Sequence, residues 1–122
     1  MNVLLVDDEP MMRKMIKMAL QRRGFQVFDA ASAVDALSLV EKNPVDILVT
    51  DIVMNDMDGW TLARSLEKGH PGLPVLFISG YPIDFEDVCR KYARSAFLLK
   101  PFGPGELMAA ISGLVAAGTT AA

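Results

Sequence analysis

Four short apolar runs in this sequence end in residues able to handle an oxyanion or a metal ion. Val3-Leu4-Leu5-Val6 stops at Asp7-Asp8, Ile47-Leu48-Val49-Thr50 at Asp51, Val75-Leu76-Phe77-Ile78 at Ser79-Gly80, and Ala96-Phe97-Leu98-Leu99 at Lys100-Pro101. If these runs lie side by side and parallel, three carboxylates, one hydroxyl and one ammonium meet on one rim. Carboxylates gathered in this way repel one another, and a hard divalent cation relieves the repulsion. Mg²⁺ suits oxygen ligands and keeps several waters, so one or two carboxylates suffice to hold it. An aspartate oxygen is also a competent nucleophile toward phosphorus, giving an acyl phosphate. Phosphoryl transfer asks mainly for positioning and charge neutralisation, which the cation, Lys100 and the Ser79 hydroxyl would supply.

The elements needed to position these residues follow from the punctuation. After the first run, a helical pattern covers Pro10 to Arg23, with Pro10 suited to the first turn and Gly24 placed as a stop. Phe25-Gln26-Val27-Phe28 reads as a second strand, and Ser32 as the cap of a helix that reaches Lys42 before Asn43-Pro44. Further helices are expected near Trp60 to Lys68, from about Asp84 to Arg94, and from about Pro104 to Ala116. Strands apolar at every position imply burial on both faces, the signature of a parallel sheet covered by helices. Five strand–helix alternations give an α/β open sheet of the (βα)5 kind, and the chain is too short for an eight-unit barrel. In such sheets ligands bind beyond the carboxyl ends of the strands, where the four run ends fall.

Composition excludes several alternatives. At 122 residues, 52% hydrophobic and 22% charged, the chain has the make-up of one globular domain. A net charge of −3 gives no electrostatic footprint for nucleic acid or for an anionic membrane. The single cysteine, Cys89, rules out an internal disulfide, no apolar run approaches membrane-spanning length, and no signal peptide is visible, so a cytoplasmic location is expected.

Asp7-Asp8, Asp51 within Thr50-Asp51-Ile52-Val53-Met54, Met57-Asp58-Gly59, Ser79-Gly80 and Phe97-Leu98-Leu99-Lys100-Pro101-Phe102 together resemble the motif set of bacterial response-regulator receiver domains. The resemblance holds in order and spacing across essentially the whole chain. It implies a flavodoxin-like three-layer sandwich with strand order 2-1-3-4-5, residues 1–118 forming the domain and 119–122 a flexible tail. It further implies Asp51 as phosphoacceptor; Asp8, Asp51 and the Val53 backbone carbonyl as Mg²⁺ ligands, with Asp7 acting through water; and Mn²⁺ as a substitute. Ser79, Gly80 and Lys100 would bind the phosphoryl group, Phe97 would swing with Ser79, and the bond before Pro101 would be cis. The implied partners are a histidine kinase or histidine phosphotransfer protein, and a protein effector on the surface of the fourth helix, fifth strand and fifth helix, about Asp84 to Ala116. Neither nucleic acid nor membrane is expected. Met54-Asn55 stands where such domains commonly carry Met-Pro, Phe97 where some carry tyrosine, and Ser79-Gly80-Tyr81 resembles receivers attached to hybrid sensor kinases.

Other readings explain less. Asp7 and Asp8 alone would suit a helix start, and Lys100 alone a solvated surface. A phosphatase with an aspartyl nucleophile wants a second Asp two residues on, where Val53 stands, and the first turn lacks the glycines of a nucleotide site. A degenerate receiver acting as a scaffold conflicts with the presence of all five key side chains. Met11, Met12, Met15, Ile16, Met18 and Leu20 form a broad apolar arc opposite Arg13, Lys14, Lys17 and Gln21; core packing is the first expectation for it, with one edge available to a kinase. His70 is assigned no role, Trp60 is expected to pack at a helix start, and Cys89 is expected to be inert.

Overall fold

The computed structural model describes residues 1–54, 56–81 and 94–121, with side chains described as far as Val115. Its strands are β1 (Asn2–Val6), β2 (Gln26–Ala30), β3 (Ile47–Asp51), β4 (Val75–Ser79) and β5 (Ser95–Leu99). The helices among the described residues are α1 (Pro10–Arg22), α2 (Ala33–Lys42), α3 (Gly59–Glu67) and α4 (Pro104–Ala121). The helix expected from about Asp84 to Arg94, with Cys89 in it, lies outside the described residues except for Arg94, which precedes β5.

All five strands are parallel in the order β2-β1-β3-β4-β5, as expected. Unbroken apolar strands have the physical basis inferred from sequence, because alternate side chains enter different cores. Leu4, Val6, Leu48 and Phe77 pack with α2 and α3 residues such as Ala36, Leu62 and Leu66. Val3, Leu5, Val49, Leu76 and Ile78 pack with Ile16 and Leu20 of α1 and Leu107 and Ile111 of α4. Two helical layers thus enclose the sheet, giving the three-layer sandwich.

Local chemistry sets the helix starts. Pro10 opens α1, while Ser32 Oγ accepts the Asp35 N–H at 3.2 Å and Asp58 Oδ1 accepts the Thr61 N–H at 2.8 Å, capping α2 and α3. Gly24, with φ of 88°, turns the chain from α1 into β2 in a conformation costly for other residues.

Three features differ from expectation. β2 runs from Gln26 to Ala30 rather than from Phe25 to Phe28, because Asp29 belongs to an edge strand and is held there by ion pairs to α1. α4 continues past Ala116 to Ala121, since Gly118 weakens a helix without ending it. The methionine arc also divides: Ile16, Ala19 and Leu20 are buried, whereas Met11 is 80% exposed and Met18 44%.

Candidate functional site

Register brings the strand ends to one edge. Val6 pairs with Ala30 and Thr50, Asp51 with Ile78, and Ser79 with Leu99, so Asp7, Asp8, Asp51, Ser79 and Lys100 emerge together. One carboxylate oxygen from each of Asp7, Asp8 and Asp51 can be chosen so that all lie within 4.8 Å of one another. Asp7 is fully buried and Asp51 is 6% exposed, while Asp8 is partly open.

Asp51 is held at both oxygens. The Val53 N–H donates to Oδ1 at 3.2 Å and Lys100 Nζ to Oδ2 at 2.9 Å, which fixes the plane of the carboxylate. The Thr50 hydroxyl donates to the Asp51 carbonyl at 2.9 Å, and the Gly59 N–H donates to the Ile52 carbonyl at 2.8 Å. Gly59 is required for that approach: a Cβ there would overlap the Asp51 carbonyl oxygen and stand 3.0 Å from Ile52 Cα. Trp60, next in the chain, packs its ring on Phe77 with centroids 4.4 Å apart.

Asp7 is balanced differently. Its Oδ1 accepts the Glu9 N–H at 2.9 Å; its Oδ2 lies 3.2 Å from Lys100 Nζ but has no hydrogen bond of acceptable geometry. Burial raises its pKa, and the neighbouring Asp51 charge adds to this, against the Glu9 N–H and Lys100. Burial pulls Lys100 the other way, yet its hydrogen bond to Asp51 and the charges of Asp7 and Asp51 prevail, so its pKa is raised and it stays charged. A buried carboxylate oxygen without a hydrogen bond, beside two more carboxylates, is a donor set that a hard divalent cation fits.

Beyond the carboxylates lies an open depression of about 340 Å³ lined by Glu9, Asp51, Val53, Ser79, Gly80, Tyr81 and Lys100. Ser79 Oγ accepts the Tyr81 N–H at 3.0 Å, and the Ser79 carbonyl accepts the Lys100 N–H at 2.7 Å, joining the ends of β4 and β5. The Lys100–Pro101 peptide is cis. Phe97 is partly buried against the α2/α3 side of the sheet, two residues before the exposed Leu99.

Several participants had no role in the sequence reading. Lys100 Nζ also reaches Glu9 Oε2 at 3.4 Å. Arg13, placed on the polar face of α1, donates from a guanidinium nitrogen to the Asp7 carbonyl at 2.8 Å and pairs through Nε with Asp29 at 3.3 Å, where Lys17 joins at 2.8 Å. Asp56 accepts from the Ala33 and Val34 N–H groups at 3.3 and 3.1 Å, fastening the loop after β3 to the start of α2. These bonds, Val34 first, lower the Asp56 pKa. His70 Nδ1 lies 3.3 Å from the Leu66 carbonyl at the end of α3, away from the site.

Comparison with known proteins agrees with this geometry. The chain is 46% identical over 109 residues to the sensor kinase CckA of Brucella abortus, covering 87% of this chain and 12% of the kinase. It is 36% identical over 113 residues to the transcriptional regulatory protein YvrH of Bacillus subtilis, covering 90% of this chain and 47% of that protein. It therefore spans about half or less of these relatives. A solved receiver domain from the hybrid histidine kinase CckA superposes with a TM-score of 0.80 at 30% identity, covering 93% of this chain and 98% of that one. A response regulator receiver protein from Sinorhizobium medicae gives 0.84 at 31% identity, covering 95% and 94%. No helix among the described residues is long and apolar enough to cross a membrane. Residues 3–112 match the response regulator receiver domain, and the chain belongs to that family of two-component signalling modules.

Proposed function

We propose that Asp51 accepts a phosphoryl group from a histidine kinase or histidine phosphotransfer protein, and that this switches a partner-binding surface. The observation that carries this reading is the Asp51 carboxylate, fixed by the Val53 N–H and Lys100 and facing an open depression beside two further acids. In the transfer, a P–O bond forms to an Asp51 oxygen as the donor's P–N bond breaks, and the leaving imidazole takes the bonding pair and a proton. Asp8, Asp51 and the Val53 carbonyl would hold Mg²⁺, or Mn²⁺ in its place, with Asp7 acting through water. The cation supplies neutralisation of the charge that builds on the phosphoryl oxygens. Lys100 pairs with one of those oxygens, and the Ser79 hydroxyl with the Gly80 backbone turns toward another. Phe97 follows Ser79 and passes the change to β5. The chain's own chemistry is limited to its phosphorylation and slow dephosphorylation.

The output surface comprises β5, α4 and the segment between β4 and β5, most of which is not among the described residues. Relatives named as transcriptional regulators widen the partner expectation. The net charge of −3 argues against DNA on this chain's own surface, while the effector it controls can itself bind DNA. A cytoplasmic setting suits a kinase-fed switch. The test is chemical: borohydride reduction of the phosphorylated protein converts an aspartyl phosphate to homoserine. Peptide mapping should then find homoserine at position 51; finding it at Asp7 or Asp8, or an acid-stable phosphoester elsewhere, would overturn the assignment.

A further inference from the structure

Lys100 has three N–H donors and three carboxylates around it: Asp51 at 2.9 Å, Asp7 at 3.2 Å and Glu9 at 3.4 Å. Two of these contacts, to Asp51 and Glu9, are hydrogen bonds, and an incoming phosphoryl oxygen competes with them for the ammonium. Asp7 is fully buried and Asp51 is the group receiving the phosphoryl, so neither can swing out. The Glu9 side chain is 56% exposed, makes the longest of the three contacts, and lines the depression. We propose that Glu9 is an anionic competitor at the mouth of the site, occupying Lys100 until an incoming phosphoryl group displaces it, and so setting how readily anionic phosphodonors engage. This rests on the reading of Asp51 as phosphoacceptor.

The local structure makes Glu9 separable from the fold. It is the N-cap of α1 but makes no side-chain capping hydrogen bond, and its tie to Asp7 uses its backbone N–H. Truncating the side chain therefore leaves the acidic loop tethered. Exposed ion pairs of this kind contribute about 0.2–1 kcal/mol, equivalent to a competition factor of about 1.5-fold to fivefold, and salt weakens them.

The experiment is calorimetric titration of the whole chain with Mg²⁺ alone, then with beryllofluoride, a phosphoryl mimic, in saturating Mg²⁺. It compares wild type, Glu9→Ala, Glu9→Gln and the control Glu41→Gln on α2. Glu9→Ala should bind beryllofluoride about 1.5-fold to fivefold more tightly at low salt, with the gain shrinking as salt rises. Glu9→Gln should move in the same direction, Glu41→Gln should match wild type, and no variant should bind Mg²⁺ more tightly. Unchanged or weaker beryllofluoride binding by Glu9→Ala would overturn the competitor role alone. An equal gain in Glu41→Gln would overturn it in favour of bulk charge. Absence of Mg²⁺-dependent beryllofluoride binding in wild type would overturn the phosphoacceptor reading, and the proposal with it.

Discussion

Replacing Gly59 with alanine tests whether the start of α3 and the acceptor aspartate form one packed unit. The new Cβ would overlap the Asp51 carbonyl oxygen and approach Ile52 Cα at 3.0 Å and Asp51 C at 3.1 Å. These are backbone atoms of β3 and its exit, so no rotamer change relieves the overlap. Overpacking of this sort costs about 1–3 kcal/mol. The gain from removing a helical glycine offsets at most about 1 kcal/mol. A net loss of about 2 kcal/mol is expected, lowering Tm by roughly 6–8 °C for a domain of this size. Gly113 in α4 is the internal control, because a Cβ there meets nothing within 4 Å. Gly113→Ala should raise stability by about 0.5–1 kcal/mol. Urea unfolding read by Trp60 fluorescence, with Mg²⁺ chelated, gives both numbers under two-state analysis. Gly59→Ala as stable as wild type, or a stability change equal to that in Gly113→Ala, would refute the close approach on which the geometry of Asp51 depends.

Asp7→Asn should stabilise the metal-free protein at neutral pH by about 0.5–2 kcal/mol, because it removes a buried charge whose Oδ2 has no hydrogen bond. Asp51→Asn should do less, since both Asp51 oxygens already have donors; thermal melts of the two variants in chelator check the order. Millimolar Mg²⁺ should stabilise wild type by about 1.4 kcal/mol for each tenfold excess over Kd, seen as a higher Tm, and stabilise Asp7→Asn less. Asp56 has a lowered folded pKa, so its contribution is present above its unfolded value and lost as pH falls through the folded one. The stability gap between wild type and Asp56→Ala should accordingly close on acidification below the ordinary carboxylate range, in urea melts across pH.

The legible part of this protein was the part set by short-range rules. Strand ends, the cap at Ser32, and the two-faced burial of Val3 to Val6 each follow from a few adjacent residues, so the rim of Asp7, Asp8, Asp51, Ser79 and Lys100 could be placed in advance. Arg13 and Glu9 could not. Their roles depend on which groups, distant in sequence, lie within side-chain reach, as Lys100 lies 91 residues from Glu9. Asp56 was hidden for a related reason: it binds the N-terminus of a helix more than twenty residues earlier, while its own helix is capped by Asp58. Asp29 misled because polarity in an edge strand imitates a strand end.

The most direct test of the account is intact-mass measurement after incubation with a small phosphodonor, with and without Mg²⁺, on wild type and Asp51→Asn. The account predicts a single phosphoryl adduct on wild type that needs Mg²⁺ and is absent from Asp51→Asn. A folded wild-type protein that gains no adduct, or an adduct that survives in Asp51→Asn, would contradict it.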